Sequence, residues 1–264
     1  MNRVTPSTTF STNYGETNPQ YCFENTFAVA DQDVDKTTLV QVAVQAINGT
    51  AQDLYTVNGN KTTIYTMASL TTLIQSKAYD YIMNNSYVKS GTLNSTDFTP
   101  TLTVNSTTNE VTAVSLAYSG SATVSGSALE GGADATTGTL ISAASTYVLG
   151  ELGTILKYVN GISYYNIRIK HFGDILTPWN KGETTTPSTG TIYPTDNADK
   201  NYLGRYGVLR NNWYHLQISS IKNLGDAVPQ TSTWPDTPDD ELDNYITFQI
   251  NVLSWAKRTQ GADL

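Results

Sequence analysis

The chain has 264 residues, enough for one large domain or two of ordinary size. Only 14% of them are charged and the formal net charge is −8, a surface that repels phosphate and so argues against nucleic acid and anionic membranes as partners. One cysteine, Cys22, excludes an intramolecular disulfide and a thiolate metal cluster.

The shortfall in charge is made up by Thr, Ser, Asn, Gly and Tyr. Thr and Tyr suit a pleated, half-buried surface, and Asn and Gly suit the turns between strands, so the composition predicts an all-β protein. Cys22, set between Tyr21 and Phe23, reads as a buried, inert thiol. No leader and no apolar stretch of membrane-spanning length is visible. On that reading the chain is either cytoplasmic or a mature or truncated piece of an exported precursor.

Residues 1–20 are polar and read as a lead-in linker. From Leu39 to Ile47, Val40, Val42, Val44 and Ala46 alternate with Gln41 and Gln45, which predicts a strand. Asn58-Gly59-Asn60 marks a turn before a short apolar piece at Thr63 to Tyr65. Met67 to Met83 predicts the longest helix, because Leu70, Leu73, Ile74, Ala78, Tyr81 and Ile82 recur at helical spacing. Residues 90–138 are rich in Ser, Thr and Gly and read as an insertion or peripheral hairpin, with strand pieces at Thr101 to Val104 and Val111 to Leu116. Thr139 to Leu152 predicts a short second helix.

Leu156 to His171 reads as a hairpin, because Asn160-Gly161 is the dipeptide that a tight two-residue turn prefers. A polar loop follows from Thr177 to Lys200, then a strand from Trp213 to Ile221 with Tyr214, Leu216 and Ile218 on one face. Asp226 to Asn244 carries three prolines and the acidic run Asp239-Asp240-Glu241, so it reads as an extended, solvated tether. Beyond it, Tyr245 to Trp255 sets Ile246, Phe248, Ile250 and Val252 on one strand face. This organisation predicts a β-sandwich domain over 21–225 with an insertion near 90–155, the tether at 226–244, and a terminal strand and tail at 245–264.

Motifs for chemistry are sparse. The two histidines, His171 and His215, fall in predicted strands, too few with one remote cysteine for a usual zinc site. No nucleophile elbow, phosphate loop or dinucleotide fingerprint occurs. Asp31, Asp33 and Asp35 open like a calcium loop, but Lys36 and Val42 stand where that loop requires Gly and Glu. The five N-x-[ST] sequons, at Asn48, Asn60, Asn84, Asn94 and Asn105, are expected in a chain this rich in Ser and Thr, and no glycan is assigned to them. Trp179, Trp213, Trp234 and Trp255 with the tyrosines keep a second reading open, a tip adhesin or carbohydrate-binding β-sandwich module. The expectation is a non-enzyme with no cofactor, no catalytic residue and no metal.

Three segments resemble the C-terminal half of the fimbrillin family of Bacteroidales, the type V pilins, and most of all the shaft subunits of minor fimbriae. They are Tyr21-Cys22-Phe23-Glu24-Asn25-Thr26 with the strand after it, Tyr206 to Tyr214 with its Val208-x-Arg210-Asn211-x-x-Tyr214 pattern, and Val252-Leu253-Ser254-Trp255. Ser254 departs from the proline usual there. The resemblance implies an antiparallel, transthyretin-like β-sandwich with one or two helical excursions. It also implies a precursor exported as a lipoprotein and a fimbrium anchored at the outer membrane. An arginine-specific protease trims such precursors, and subunits then join by donor-strand exchange, contributing to adhesion and biofilm. Arg3 does not fit as the processing site. Implied partners are other copies of the subunit, anchor and tip pilins, and a host or bacterial surface receptor.

Tyr245 to Trp255 has the design of such a donor: Ile246, Phe248, Ile250, Val252 and Trp255 on a strand beyond a solvated tether. The competing reading is that this strand folds back onto its own sandwich.

Overall fold

A computed structural model of the chain describes residues 21–28, 38–47, 49–126, 139–169, 171, 203–229 and 246–254. The lead-in linker, Asp31, Asp33 and Asp35, the polar loop 177–200, residues 230–245 of the tether and strand, and Trp255 lie outside them. In chain order the first elements are β1 (Asn25–Ala28), β2 (Leu39–Gln45), β3 (Leu54–Val57), β4 (Asn60–Thr66), α1 (Met67–Asn85), β5 (Ser86–Ser90), β6 (Phe98–Val104) and β7 (Val111–Tyr118). They are followed by β8 (Thr123–Gly126), α2 (Thr139–Leu152), β9 (Ile155–Tyr158), β10 (Ile162–Arg168), β11 (Leu203–Val208), β12 (Asn212–Ile221) and β13 (Ile246–Ser254). Among the described residues the fold is mainly β, with antiparallel sheets and two α-helices. It divides into two compact units, one made of residues 45–163 and one of the chain up to Val44 together with the chain from Tyr164 on.

In the 45–163 unit, β3 is the middle strand of three, with β4 and β9 antiparallel on its two sides. Thr66 starts α1 with a reciprocal cap: its hydroxyl accepts the Ser69 N–H at 3.2 Å, and the Ser69 hydroxyl accepts the Thr66 N–H at 2.9 Å. Leu70, Ile74, Ala78 and Ile82, each four residues apart, form the buried stripe of the helix. Burying Leu70, Ile74 and Ile82 contributes roughly 1.5–3 kcal/mol each. The helix runs two residues past the predicted end. There the Asn85 amide donates to the Tyr81 carbonyl and the Ser86 hydroxyl to the Ile82 carbonyl, satisfying groups that the last turn leaves open.

The Ser/Thr/Gly-rich stretch contributes to this core. β6 and β7 pair from Phe98 opposite Tyr118 to Val104 opposite Val111. Phe98, Val111, Val114 and Leu116 are buried with Leu140, Ile141, Ala144, Val148 and Leu152 of α2 in one cluster. Two polar side chains fasten the layers. Gln75 of α1 donates to the Phe98 carbonyl at 2.8 Å, and the Ser145 hydroxyl of α2 accepts the Leu116 N–H at 3.2 Å.

The expected hairpin across Asn160-Gly161 is corrected by the structure. The turn exists, with φ of 53° at Asn160 and 72° at Gly161. However, β9 pairs with β3 and β10 with β2, so the two strands part company. The reason is local. Gly161 lies against the Ala46 carbonyl, where an added Cβ would come within 2.6 Å of that oxygen, and the Gly161 carbonyl accepts the Ala46 N–H at 2.9 Å. The turn therefore delivers the chain to the end of β2 rather than back along β9.

In the other unit, every residue from Tyr164 to Ile169 is buried, as in a central strand covered on both faces. β10 pairs with β2, and Tyr164 exchanges backbone hydrogen bonds of 2.9 and 2.8 Å with Asp226. This bridge and the buried Ala227 place the first tether residues inside the fold, which corrects the expectation of a tether solvated from its start. The buried polar side chains Asn166 and Arg168 of β10 are matched. The Gln41 amide donates to Asn166 at 2.9 Å, and the Arg168 guanidinium lies 3.6 Å from the centre of the Tyr206 ring. β1 pairs with β11, from Asn25 opposite Val208 to Ala28 opposite Leu203.

Candidate functional site

β12 and β13 form a two-stranded antiparallel ribbon, with Asn212 opposite Ser254 at one end and Ile221 opposite Ile246 at the other. The register sets Tyr214 opposite Val252, Leu216 opposite Ile250 and Ile218 opposite Phe248. Successive strand positions alternate between faces, so these six residues share one face. Between Ile218 and Ser220 the register shifts: β12 carries one residue more than β13, and Ser219 is the extra one. A regular strand would turn Ile221 to the opposite face. The bulge returns it to the apolar face, opposite Ile246. The other face pairs His215 with Asn251, Gln217 with Gln249 and Ser220 with Thr247.

The predicted donor residues Ile246, Phe248, Ile250 and Val252 thus all lie on β13, on one face, paired to a strand of their own chain. Trp255 lies outside the described residues. Along β12, Tyr214 and Leu216 are half-buried, whereas Ile218 and Ile221 are 40% and 41% exposed.

The start of β12 is anchored by contacts that strand alternation does not reveal. Asn211 adopts a left-handed φ of 62°, which asparagine tolerates, and the Asn212 amide donates to the Leu209 and Arg210 carbonyls. The Tyr214 hydroxyl accepts the Leu209 N–H at 2.8 Å and lies 2.7 Å from His171 Nδ1, with the two rings edge to face. Burial holds the His171 imidazole below its ordinary pKa. Burial also pushes the Tyr214 phenol up, against the pull of the Leu209 N–H, and nearby Cys22 and Glu24 push it further. Arg210 Nε meets a Glu24 carboxylate oxygen at 3.2 Å. These contacts set the 21–24 segment beside the start of β12.

Cys22 itself is exposed, which corrects the expectation of a buried thiol. Its neighbours Tyr21 and Phe23 are 83% and 78% exposed, because the segment lies before β1 begins to pair. Among the described residues, no three His, Cys, Asp or Glu side chains gather where they could hold a metal ion.

Residues 191–261 match the family model described as major fimbrial subunit protein type IV, fimbrillin, C-terminal. That stretch of the chain is similar to the C-terminal region of fimbrillin. No curated protein matches the chain. The fimbrillin match covers about a quarter of the sequence and contains β11, β12 and β13, hence the whole ribbon. It supports the role of a pilus subunit, structural rather than catalytic, that assembles with other pilin subunits in a cell-surface appendage. No described helix is long and apolar enough to cross a membrane.

Proposed function

We propose that the chain is a shaft subunit of a fimbrium that polymerises by donor-strand exchange, with β13 as the donated strand. The supporting observation is the β12–β13 register. β13 already makes a nine-residue antiparallel ladder, with its apolar positions in a single row. A strand that leaves one such ladder recovers the same main-chain hydrogen bonds in an equivalent acceptor on another copy. Four apolar positions contribute roughly 6–12 kcal/mol on full burial, before ordering costs. Residues 230–245, sixteen in number, reach at most about 50–58 Å, enough to cross to a neighbouring subunit. A two-layer sandwich, anchoring at the outer membrane after export as a lipoprotein, and a part in adhesion and biofilm belong to the same proposal.

The test is the double substitution Phe248→Asp with Ile250→Asp in the full processed chain, compared with wild type for filament yield and melting temperature. A carboxylate buried in an acceptor without a partner costs several kcal/mol, so filaments are expected to vanish while the monomer stays folded. Filaments at wild-type yield would overturn the donor role. A collapsed monomer melting temperature would favour the self-packed strand instead.

A further inference from the structure

The ribbon and the segment before β1 expose two apolar surfaces in the same unit. One is the far end of β12, where Ile218 and Ile221 are 40% and 41% exposed and the register sets Phe248 and Ile246 opposite them. The other is Tyr21 and Phe23, at 83% and 78%. The Glu24–Arg210 ion pair holds the second near the start of β12. Ile221 lies seven positions beyond Tyr214, so the two surfaces lie about 23 Å apart along the strand.

We infer that these two surfaces are the two halves of a head-to-tail contact between copies of this chain: the far end of the ribbon of one copy seats against Tyr21 and Phe23 of the next. This rests on the reading of the chain as a polymer subunit, but it is separate from strand exchange, since it joins side chains across faces and needs no strand to leave its ladder. Three observations carry it. The apolar row Tyr214, Leu216, Ile218 and Ile221 with its β13 counterparts contains no charged residue, and the Ser219 bulge extends it to Ile221 instead of ending it at Ile218. A lone two-stranded ribbon is marginal in water and needs a partner for its apolar face. Within the chain, burial on β12 stops at Leu216. The occupant is another copy because the matched region, which contains the ribbon, is that of a fimbrial subunit. The contact is head-to-tail because the two surfaces are unlike and lie at opposite ends of one strand, so each copy can bind two others, whereas a self-matching patch would close into dimers.

The experiment uses the full chain in three forms: wild type, Tyr21→Ser with Phe23→Ser, and Ile218→Ser with Ile221→Ser. All four positions are exposed, so each variant is expected to keep the wild-type melting temperature. Sedimentation over rising concentration should give a ladder of oligomers for wild type and at least tenfold weaker association for each variant alone. An equimolar mixture of the two variants should give heterodimers and nothing longer, because each retains one working surface. If the Tyr21/Phe23 variant associates as well as wild type, or the mixture stays monomeric while wild type assembles, the contact is overturned. Microscopy of the same samples separates this from the pilus reading. Filaments of normal yield in all three forms would sink the contact alone, and absence of filaments and oligomers in all three would sink both.

Discussion

Thr56 lies in the middle strand β3 with its side chain fully enclosed, and its hydroxyl is the buried side-chain oxygen without a hydrogen-bond partner among the described residues. A hydroxyl in that state has given up its water and received nothing in exchange, at a cost of about 1–3 kcal/mol. Valine has nearly the same shape and no hydroxyl. Thr56→Val is therefore expected to raise stability by about 1 kcal/mol or more, read as a higher denaturation midpoint with an unchanged m-value. A lower midpoint would mean that the hydroxyl has a partner, such as a bound water. The same accounting explains why Asn166 and Arg168, equally buried in β10, are tolerated: Gln41 and the Tyr206 ring meet them.

At the scale of elements, α1 depends on its first turn. Thr66 and Ser69 satisfy each other's backbone N–H groups, and the first turn carries no acidic residue to do so in their place. Thr66→Ala is expected to cost about 1 kcal/mol, measured by equilibrium unfolding, with Thr66→Ser recovering most of it. Equal stability of the alanine variant would show that water caps the helix as well. α1 was legible because its apolar residues repeat over several turns, and both helices begin where the periodicity predicts. The β13 row was legible for the same reason, from Ile246, Phe248, Ile250 and Val252. Two features were not. Ser219 looks like any other polar strand residue, so only pairing reveals that it is an extra one. Asn160-Gly161 specifies a turn but not which strands flank it, and here the strands on its two sides find β3 and β2 rather than each other. Tyr214 was legible as part of a motif, yet the destinations of its hydroxyl, Leu209 and His171, required the fold.

For the whole molecule, the chain enters the 45–163 unit at Gln45 and leaves it at Ser163. The two passages are tied together. Ala46 donates to the Gly161 carbonyl, and Gln45 Nε2 donates to the Asn160 carbonyl, both at 2.9 Å. Asp53 reinforces the tie, accepting the Asn160 N–H at 2.9 Å and facing Lys157 at 2.8 Å. Burial alone would raise the Asp53 pKa, but Lys157 and the Asn160 N–H outweigh it and hold the carboxyl below 3.8, while Asp53 holds Lys157 above 10.5. The carboxylate's contribution is therefore complete above pH 3.8 and is lost as pH falls through the lower folded value. The lysine's is complete below pH 10.5 and is lost as pH rises through its higher one. Both side chains are partly exposed, so solvent screening limits the pair to about 0.5–1 kcal/mol. Asp53→Asn should remove that much at neutral pH and flatten the acid limb of a melting-temperature profile. An unchanged acid limb would show that other carboxylates govern it.

The closeness of those two passages means that the 45–163 unit begins and ends at one doorway. Ala46 and Gly161 are one hydrogen bond apart, a gap that an ordinary hairpin loop of about two to five residues spans. The strands that continue past the doorway, β2 and β10, are already paired with each other. A change of length inside the unit therefore enters and leaves beside the same two paired strands, and neither β12 nor β13 belongs to that unit. The two units can thus vary under different pressures. The 45–163 unit is thus a cassette with a single point of entry and exit, and the ribbon lies in the other unit.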